Sequence, residues 1–182
     1  MTASDKAAEP SIWNVPNLLT AIRVLMVPLF GWVLLTWPDD PAMRWLSTAI
    51  FVVAIATDAV DGYLARKHNL ITNFGKLADS IADKALTGMA FIGLSILDEL
   101  PWWITVVILA REWGITVLRF AILKYGVMAA NRGGKLKTVM QSVAIVLFLP
   151  GLPLMPTVWA VVAWAAMIIA LVLTVVTGAD YL

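Results

Sequence analysis

Four aspartates between Asp58 and Asp83 make the strongest chemical demand in this sequence. The stretch reads Asp58-Ala-Val-Asp61-Gly62-Tyr-Leu-Ala65-Arg66, then a basic connector from Lys67 to Phe74, then Gly75-Lys76-Leu-Ala-Asp79-Ser80-Ile-Ala-Asp83. The segments on either side are apolar enough to dissolve in a bilayer, where an uncompensated carboxylate costs on the order of a few kcal/mol. If both flanking segments are helical, Asp58 and Asp61 lie at i,i+3 and Asp79 and Asp83 at i,i+4, so each pair projects from one helix face. At about 1.5 Å per residue both pairs fall within roughly two turns of the connector, at similar depth on two antiparallel helices. Such a cluster, oxygen-rich, anionic and wet on one side, suits hard divalent cations such as Mg²⁺ or Mn²⁺. Gly62 leaves room for a ligand against the backbone, and Arg66 one turn later can reach a phosphate. The plainer alternative pairs the aspartates with Arg66, Lys76 and Lys84 at a membrane surface. It is the weaker reading, because buried like charges need more than surface lysines.

The elements that position these residues follow from composition. Of 182 residues, 61% are hydrophobic and 14% charged, and the mean hydropathy is +0.87. A water-soluble domain of this size could not bury so much apolar surface, so the membrane is the solvent. Residues 1–10 are polar and mixed in charge, which predicts a mobile tail rather than a cleavable signal. Residues 11–182 are expected to form a single all-α membrane domain of six transmembrane helices, preceded by a juxtamembrane amphipathic segment from Ser11 to Asn17 with Trp13 at the headgroup level. The spans are expected at Leu18 to Trp37, Met43 to Leu64, Lys76 to Leu97, Trp102 to Lys124, Leu136 to Leu154 with a break at Pro150-Gly151-Leu152-Pro153, and Thr157 to Thr177. With no cysteine in the chain, disulfides and thiolate metal ligands are excluded, and oxygen ligation is the natural metal chemistry.

A net charge of +1 says little; its distribution says more. Lys6, Arg66, Lys67, Lys76, Lys124, Arg132, Lys135 and Lys137 fall on one side, whereas the opposite loops carry Asp39, Asp40, Asp98, Glu99 and only Arg44. Basic loops stay cytoplasmic, so both termini and the aspartates are expected to face the cytosol from the cell membrane. Trp37, Trp45, Trp102 and Trp103 gather at the other interface as an aromatic belt.

A second group of charges lies in the fourth span, where Arg111-Glu112 sits near mid-membrane and Arg119 follows two turns on. A guanidinium at that depth must face the protein interior or a wet cavity. It either forms an internal ion pair with Glu112 or a metal-site aspartate, or it joins Arg119, Lys135 and Lys137 in an anion pocket that receives a phosphate-bearing acceptor. Asn17 and Thr20 could cap the first span and Arg23 could snorkel to the interface, or all three could face the site. His68 reads as a solvated loop residue. Gly134-Lys135 is no phosphate loop, because Ala129 stands where its first glycine would be and no strand precedes it.

The pattern D-x2-D-G-x2-A-R-x8-G-x3-D-x3-D, filled here from Asp58 to Asp83, closely resembles the signature of the CDP-alcohol phosphotransferase family. Further pieces resemble the branch of that family whose acceptor is sn-glycerol 3-phosphate. These are Asn14-Val-Pro-Asn17-Leu-Leu-Thr20-Ala-Ile-Arg23, Ile108-Leu-Ala-Arg111-Glu112-Trp with Leu118-Arg119, and Gly134-Lys135-Leu-Lys137-Thr138-Val-Met-Gln141. The last two spans carry little motif, and Ser80 stands where many relatives have proline. The resemblance implies an integral membrane enzyme, a homodimer, that transfers a phosphatidyl group from CDP-diacylglycerol and releases CMP. It implies two Mg²⁺ or Mn²⁺ ions held by Asp58, Asp61, Asp79 and Asp83, with Asp83 also the candidate general base. Asn17, Thr20, Gly62, Arg66 and Thr72 would contact the donor, and Arg111, Arg119, Lys135 and Lys137 the acceptor phosphate. Two rivals remain: the same machinery with inositol phosphate, serine or phosphatidylglycerol as acceptor, and a divalent-cation or proton-coupled transporter using the same carboxylates, in which Gly62 and Arg66 have no evident purpose.

Overall fold

The computed structural model describes residues 15–67, 73–122 and 132–179, without the side chains of 15–16, 61–66, 73–74, 76–77, 118–122, 132–135 and 179. Residues 1–14, the connector with His68 and Thr72, and most of the loop after Lys124 therefore lie outside the described residues. Six α-helices follow one another: α1 (Val15–Thr36), α2 (Pro41–Lys67), α3 (Asn73–Ile96), α4 (Trp102–Ile122), α5 (Arg132–Phe148) and α6 (Thr157–Ala179), with a 3-10 turn at Leu152–Leu154. Val15, Pro16 and Asn17, expected in the amphipathic lead-in, open α1 itself.

The helix ends have local causes. Asp40 caps α2, its carboxylate accepting from Ala42 N at 2.8 Å and Met43 N at 3.3 Å, with Pro41 in the first position where no donor is needed. At the end of α3, Asp98 takes the left-handed conformation (φ 57°), and Glu99 N reaches back to Leu94 O at 3.0 Å while Asp98 N bonds Ser95 O at 3.2 Å. That pairing closes the last carbonyls of α3 and turns the chain into α4. The fifth helix stops at Phe148, just before the expected break at Pro150, where Gly151 takes φ 91°.

Helix α1 packs against both α2 and α3, α5 pairs with α6, and α4 joins the halves through α3 and α6. Two glycines line the seam between α1 and α3. A Cβ on Gly31 would collide with the Met89 side chain, and one on Gly93 would sit 2.7 Å from Leu34 Cδ2. The buried core runs through Phe30, Leu34, Phe51, Leu86, Phe91 and Phe148, and Phe30 and Phe51 bring their rings to 5.6 Å across the α1–α2 seam.

Three helices are long and apolar enough to cross a membrane among the described residues: Asn17–Thr36, Pro41–Val60 and Thr157–Gly178. Of the other three expected spans, α3 and α4 carry the charged residues and α5 has 17 residues. Leu25, Trp32, Val158 and Val161 point outward, an inside-out surface that suits lipid rather than water. The chain is an integral membrane protein.

Arg44, first seen as a lone loop cation, is wholly buried. Its Nη2 donates to Glu99 Oε2 at 2.8 Å and to Phe148 O at 3.3 Å, and its Nε to Leu149 O at 2.7 Å, so it clasps the start of α2 to the α3–α4 turn and the end of α5. Burial pushes the Glu99 carboxyl above its ordinary range, against the downward pull of Arg44. Arg44→Met strands that carboxylate and should cost about 3–5 kcal/mol of stability. The double variant Arg44→Met/Glu99→Gln, which removes the stranded charge, should recover at least half of the loss in detergent unfolding; no recovery would remove the ion pair as the cause.

Candidate active site

Thr20 and Arg23 lie three residues apart on one face of α1, and both are buried. The Thr20 hydroxyl donates to Asp79 Oδ1 at 2.5 Å. Arg23 Nη1 donates to Asp58 Oδ1 at 2.5 Å and stands 3.6 Å from Asp79 Oδ1. One guanidinium nitrogen therefore gathers a carboxylate from α2 and a carboxylate from α3. The readings of Thr20 as a helix cap and of Arg23 as a snorkelling cation are both corrected: Thr20 lies inside α1, and Arg23 is 1% exposed. Arg23 reaches inward because the carboxylates are nearer than water.

Asp58 and Asp79 each keep an open side, 45% and 39% exposed, opposite the buried Arg23. Asp83 follows Asp79 by one turn of α3, half-buried and within electrostatic reach of Asp58, Arg23, Lys84 and Glu112. Lys84 is turned to its own helix, donating to Ser80 Oγ at 3.0 Å and Ser80 O at 3.4 Å. The aspartates are thus paired, but with Arg23, which the surface-pairing alternative did not include. Asp61, Gly62 and Arg66 fall on α2 beyond Asp58, where side chains lie outside the described residues, as does Thr72. Asn17 lies on α1 one turn before Thr20, half-buried.

The donor set fits a hard cation in kind. It consists of carboxylate oxygens from two helices, backed by a buried positive charge and open on one side. Among the described residues no three carboxylates close into a complete ligand set; Asp58 and Asp79 are the two that converge.

A second cluster joins α4, α5 and α6. Arg111 Nη1 donates to Glu112 Oε1 at 3.1 Å and Nη2 to Thr177 Oγ1 at 3.0 Å, while the Lys137 ammonium donates to the same Glu112 oxygen. Gly178 lets the arginine lie flat on α6, since a Cβ there would come within 3.2 Å of Arg111 Cγ. One turn along, Gln141 Nε2 donates to Thr174 Oγ1 at 2.9 Å. Arg111 and Lys137 therefore do meet, as the anion-pocket reading required, and the internal pair of Arg111 with Glu112 forms as well. The side chains of Arg119 and Lys135 lie outside the described residues. Sequence reasoning missed Thr177, Gly178 and the bridging use of Glu112. Thr174 and Thr177, three apart in an otherwise apolar span, were the available signal.

The sequence profile described as CDP-alcohol phosphatidyltransferase matches residues 13–176, a range that takes in the first cluster and Arg111, Glu112 and Lys137 of the second. The chain belongs to the CDP-alcohol phosphatidyltransferase family. It is 49% identical over 176 residues to the protein of Mycobacterium tuberculosis (strain ATCC 25618 / H37Rv) named "Probable phosphatidylglycerophosphate synthase", covering 96% of this chain and 83% of that one. It is 39% identical over 182 residues to the "CDP-diacylglycerol--glycerol-3-phosphate 3-phosphatidyltransferase" of Bacillus subtilis (strain 168), covering 93% and 94%. The protein of the same name from Rickettsia typhi (strain ATCC VR-144 / Wilmington) is 38% identical over 178 residues, covering 92% and 94%.

Within this family framework the Thr20 hydroxyl has a measurable job, holding Asp79 in line. A hydrogen bond to a charged group contributes about 1.5–3 kcal/mol, so Thr20→Val should lower turnover roughly ten- to a hundred-fold, and Thr20→Ser should restore most of it. Equal loss in both variants would show that the hydroxyl is not what matters.

Proposed function

We propose that this protein transfers the phosphatidyl group of CDP-diacylglycerol to sn-glycerol 3-phosphate, giving phosphatidylglycerophosphate and CMP. The observation that carries the reading is the meeting of Asp58 and Asp79 on Arg23, together with that of Arg111 and Lys137 on Glu112, in a chain of this family. The names of its relatives support the choice of substrates.

In this reading Asp58, Asp61, Asp79 and Asp83 hold two Mg²⁺ or Mn²⁺ ions at the cytosolic end of a six-span bundle that works as a homodimer. When bound, such ions neutralise a diphosphate and stabilise the departing CMP. Asn17, Thr20, Gly62, Arg66 and Thr72 orient the donor. Arg111 and Lys137, with Arg119 and Lys135, receive the phosphate of the acceptor and aim its primary hydroxyl at the β-phosphorus. The new oxygen–phosphorus bond forms as the bond from that phosphorus to the CMP oxygen breaks, and the hydroxyl proton passes to Asp83. Asp83 acts chiefly by positioning the hydroxyl and capturing the proton late. The acyl tails stay in lipid throughout, which is why transfer between polar head groups is housed in a membrane fold.

Purified protein given CDP-diacylglycerol, glycerol 3-phosphate and titrated Mg²⁺ or Mn²⁺ should release CMP and lipid product in equal amounts, and chelation should abolish both. Product from inositol phosphate, serine or phosphatidylglycerol but none from glycerol 3-phosphate would overturn the acceptor. Asp83→Asn should lower kcat by about 10²-fold or more with the KM for the donor nearly unchanged, as expected for loss of a general base. A change confined to the donor KM would make Asp83 a binding group instead.

A further inference from the structure

Glu112 is the one charged member of the second cluster, among the described residues, that the proposed reaction leaves without a task, yet both described cations there meet on it. A single oxygen, Oε1, accepts from Arg111 of its own helix and from Lys137 of α5. All three side chains are poorly hydrated, at 15% exposure for Arg111, 18% for Glu112 and 6% for Lys137. Arg111 has a second anchor in Thr177 and lies flat along Gly178, so its place does not depend on Glu112. Among the described residues Lys137 has Glu112 as its one hydrogen-bonding anchor.

We propose that Glu112 is a positioning and specificity-determining residue, which draws Lys137 up to the independently anchored Arg111 and competes with a phosphate monoester for both cations, setting how tightly the acceptor is held. The inference rests on the acceptor pocket proposed above. Two cations and one carboxylate leave these three groups at a net charge of +1, enough to draw an anion, but a phosphate that takes Lys137 must share it with Glu112. Where hydration is poor such sharing is costly, because the like charges of carboxylate and phosphate are weakly screened. Replacing the carboxylate by an amide of the same shape keeps an acceptor oxygen for both cations and removes the competing charge. The two buried cations then lack a counter-ion, and a phosphate dianion supplies one.

The test compares wild type with Glu112→Gln, Glu112→Asp and Lys137→Ala in full-length protein. The readouts are KM for glycerol 3-phosphate, KM for CDP-diacylglycerol, and the rise in melting temperature caused by inorganic phosphate in detergent. Glu112→Gln should lower the acceptor KM about tenfold, the worth of one partly screened charge contact. It should leave the donor KM unchanged and enlarge the thermal shift with phosphate. Glu112→Asp, which keeps the charge but is too short to reach both cations, should fall between the two and guards against a misfolded glutamine variant. An acceptor KM that rises in either variant, or a phosphate shift that stays the same, overturns the role of Glu112. Lys137→Ala should raise the acceptor KM. If it does not, the acceptor pocket itself fails, a result separable from the behaviour of the Glu112 variants.

Discussion

A guanidinium buried among apolar helices is tolerable only with carboxylates beside it, and this requirement organises the protein. In a bilayer the hydrophobic effect does little to choose one helix neighbour over another, because lipid tails are as apolar as leucine. Charge pairs do choose. Arg23 joins α1 to α2 and α3 through Asp58 and Asp79, Arg44 joins the start of α2 to the end of α3 and of α5, and Glu112 joins α4 to α5 while Arg111 carries the link on to α6. Each of the six helices takes part in at least one of these contacts. Breaking one of them takes a compensating contact from a charge in a medium that punishes it, so together they specify the bundle more sharply than its packing alone.

Their placement separates stability from chemistry. Arg44 and Asp58 lie fourteen residues apart on α2, which is about 21 Å along a helix. The Arg44–Glu99 clasp therefore sits at the end of the bundle remote from the aspartates, closed over by backbone carbonyls and with no exposure of the arginine. At the other end Asp58 and Asp79 stay half-open. Gly31 and Gly93 lie between the two, where α1 packs against α3, and further along the same seam a threonine as short as Thr20 reaches Asp79.

Much of this was legible in the sequence, and the limits have physical causes. The aspartate spacing could be read because i,i+3 and i,i+4 positions share a helix face whatever the tertiary fold, and because carboxylates next to apolar runs need a reason. The helix limits at Asp40-Pro41 and Asp98 could be read because caps are local chemistry. The partner of Arg23 could not, since it lies 35 residues away and an arginine near a helix end can snorkel to water just as well until the packing of α1 is known. Gly178 was hidden for a different reason. It matters because Arg111 of another helix lies across it, and nothing within α6 announces that.

The two clusters are built alike with signs exchanged. Among the described side chains, Asp58, Asp79 and Arg23 together carry −1, and Arg111, Lys137 and Glu112 together carry +1. A group of carboxylates alone, or of cations alone, would be expensive to bury, and a fully paired group would have nothing left with which to draw a ligand. One opposite charge in each cluster resolves the conflict, lowering the cost of burial while leaving an unspent unit of charge.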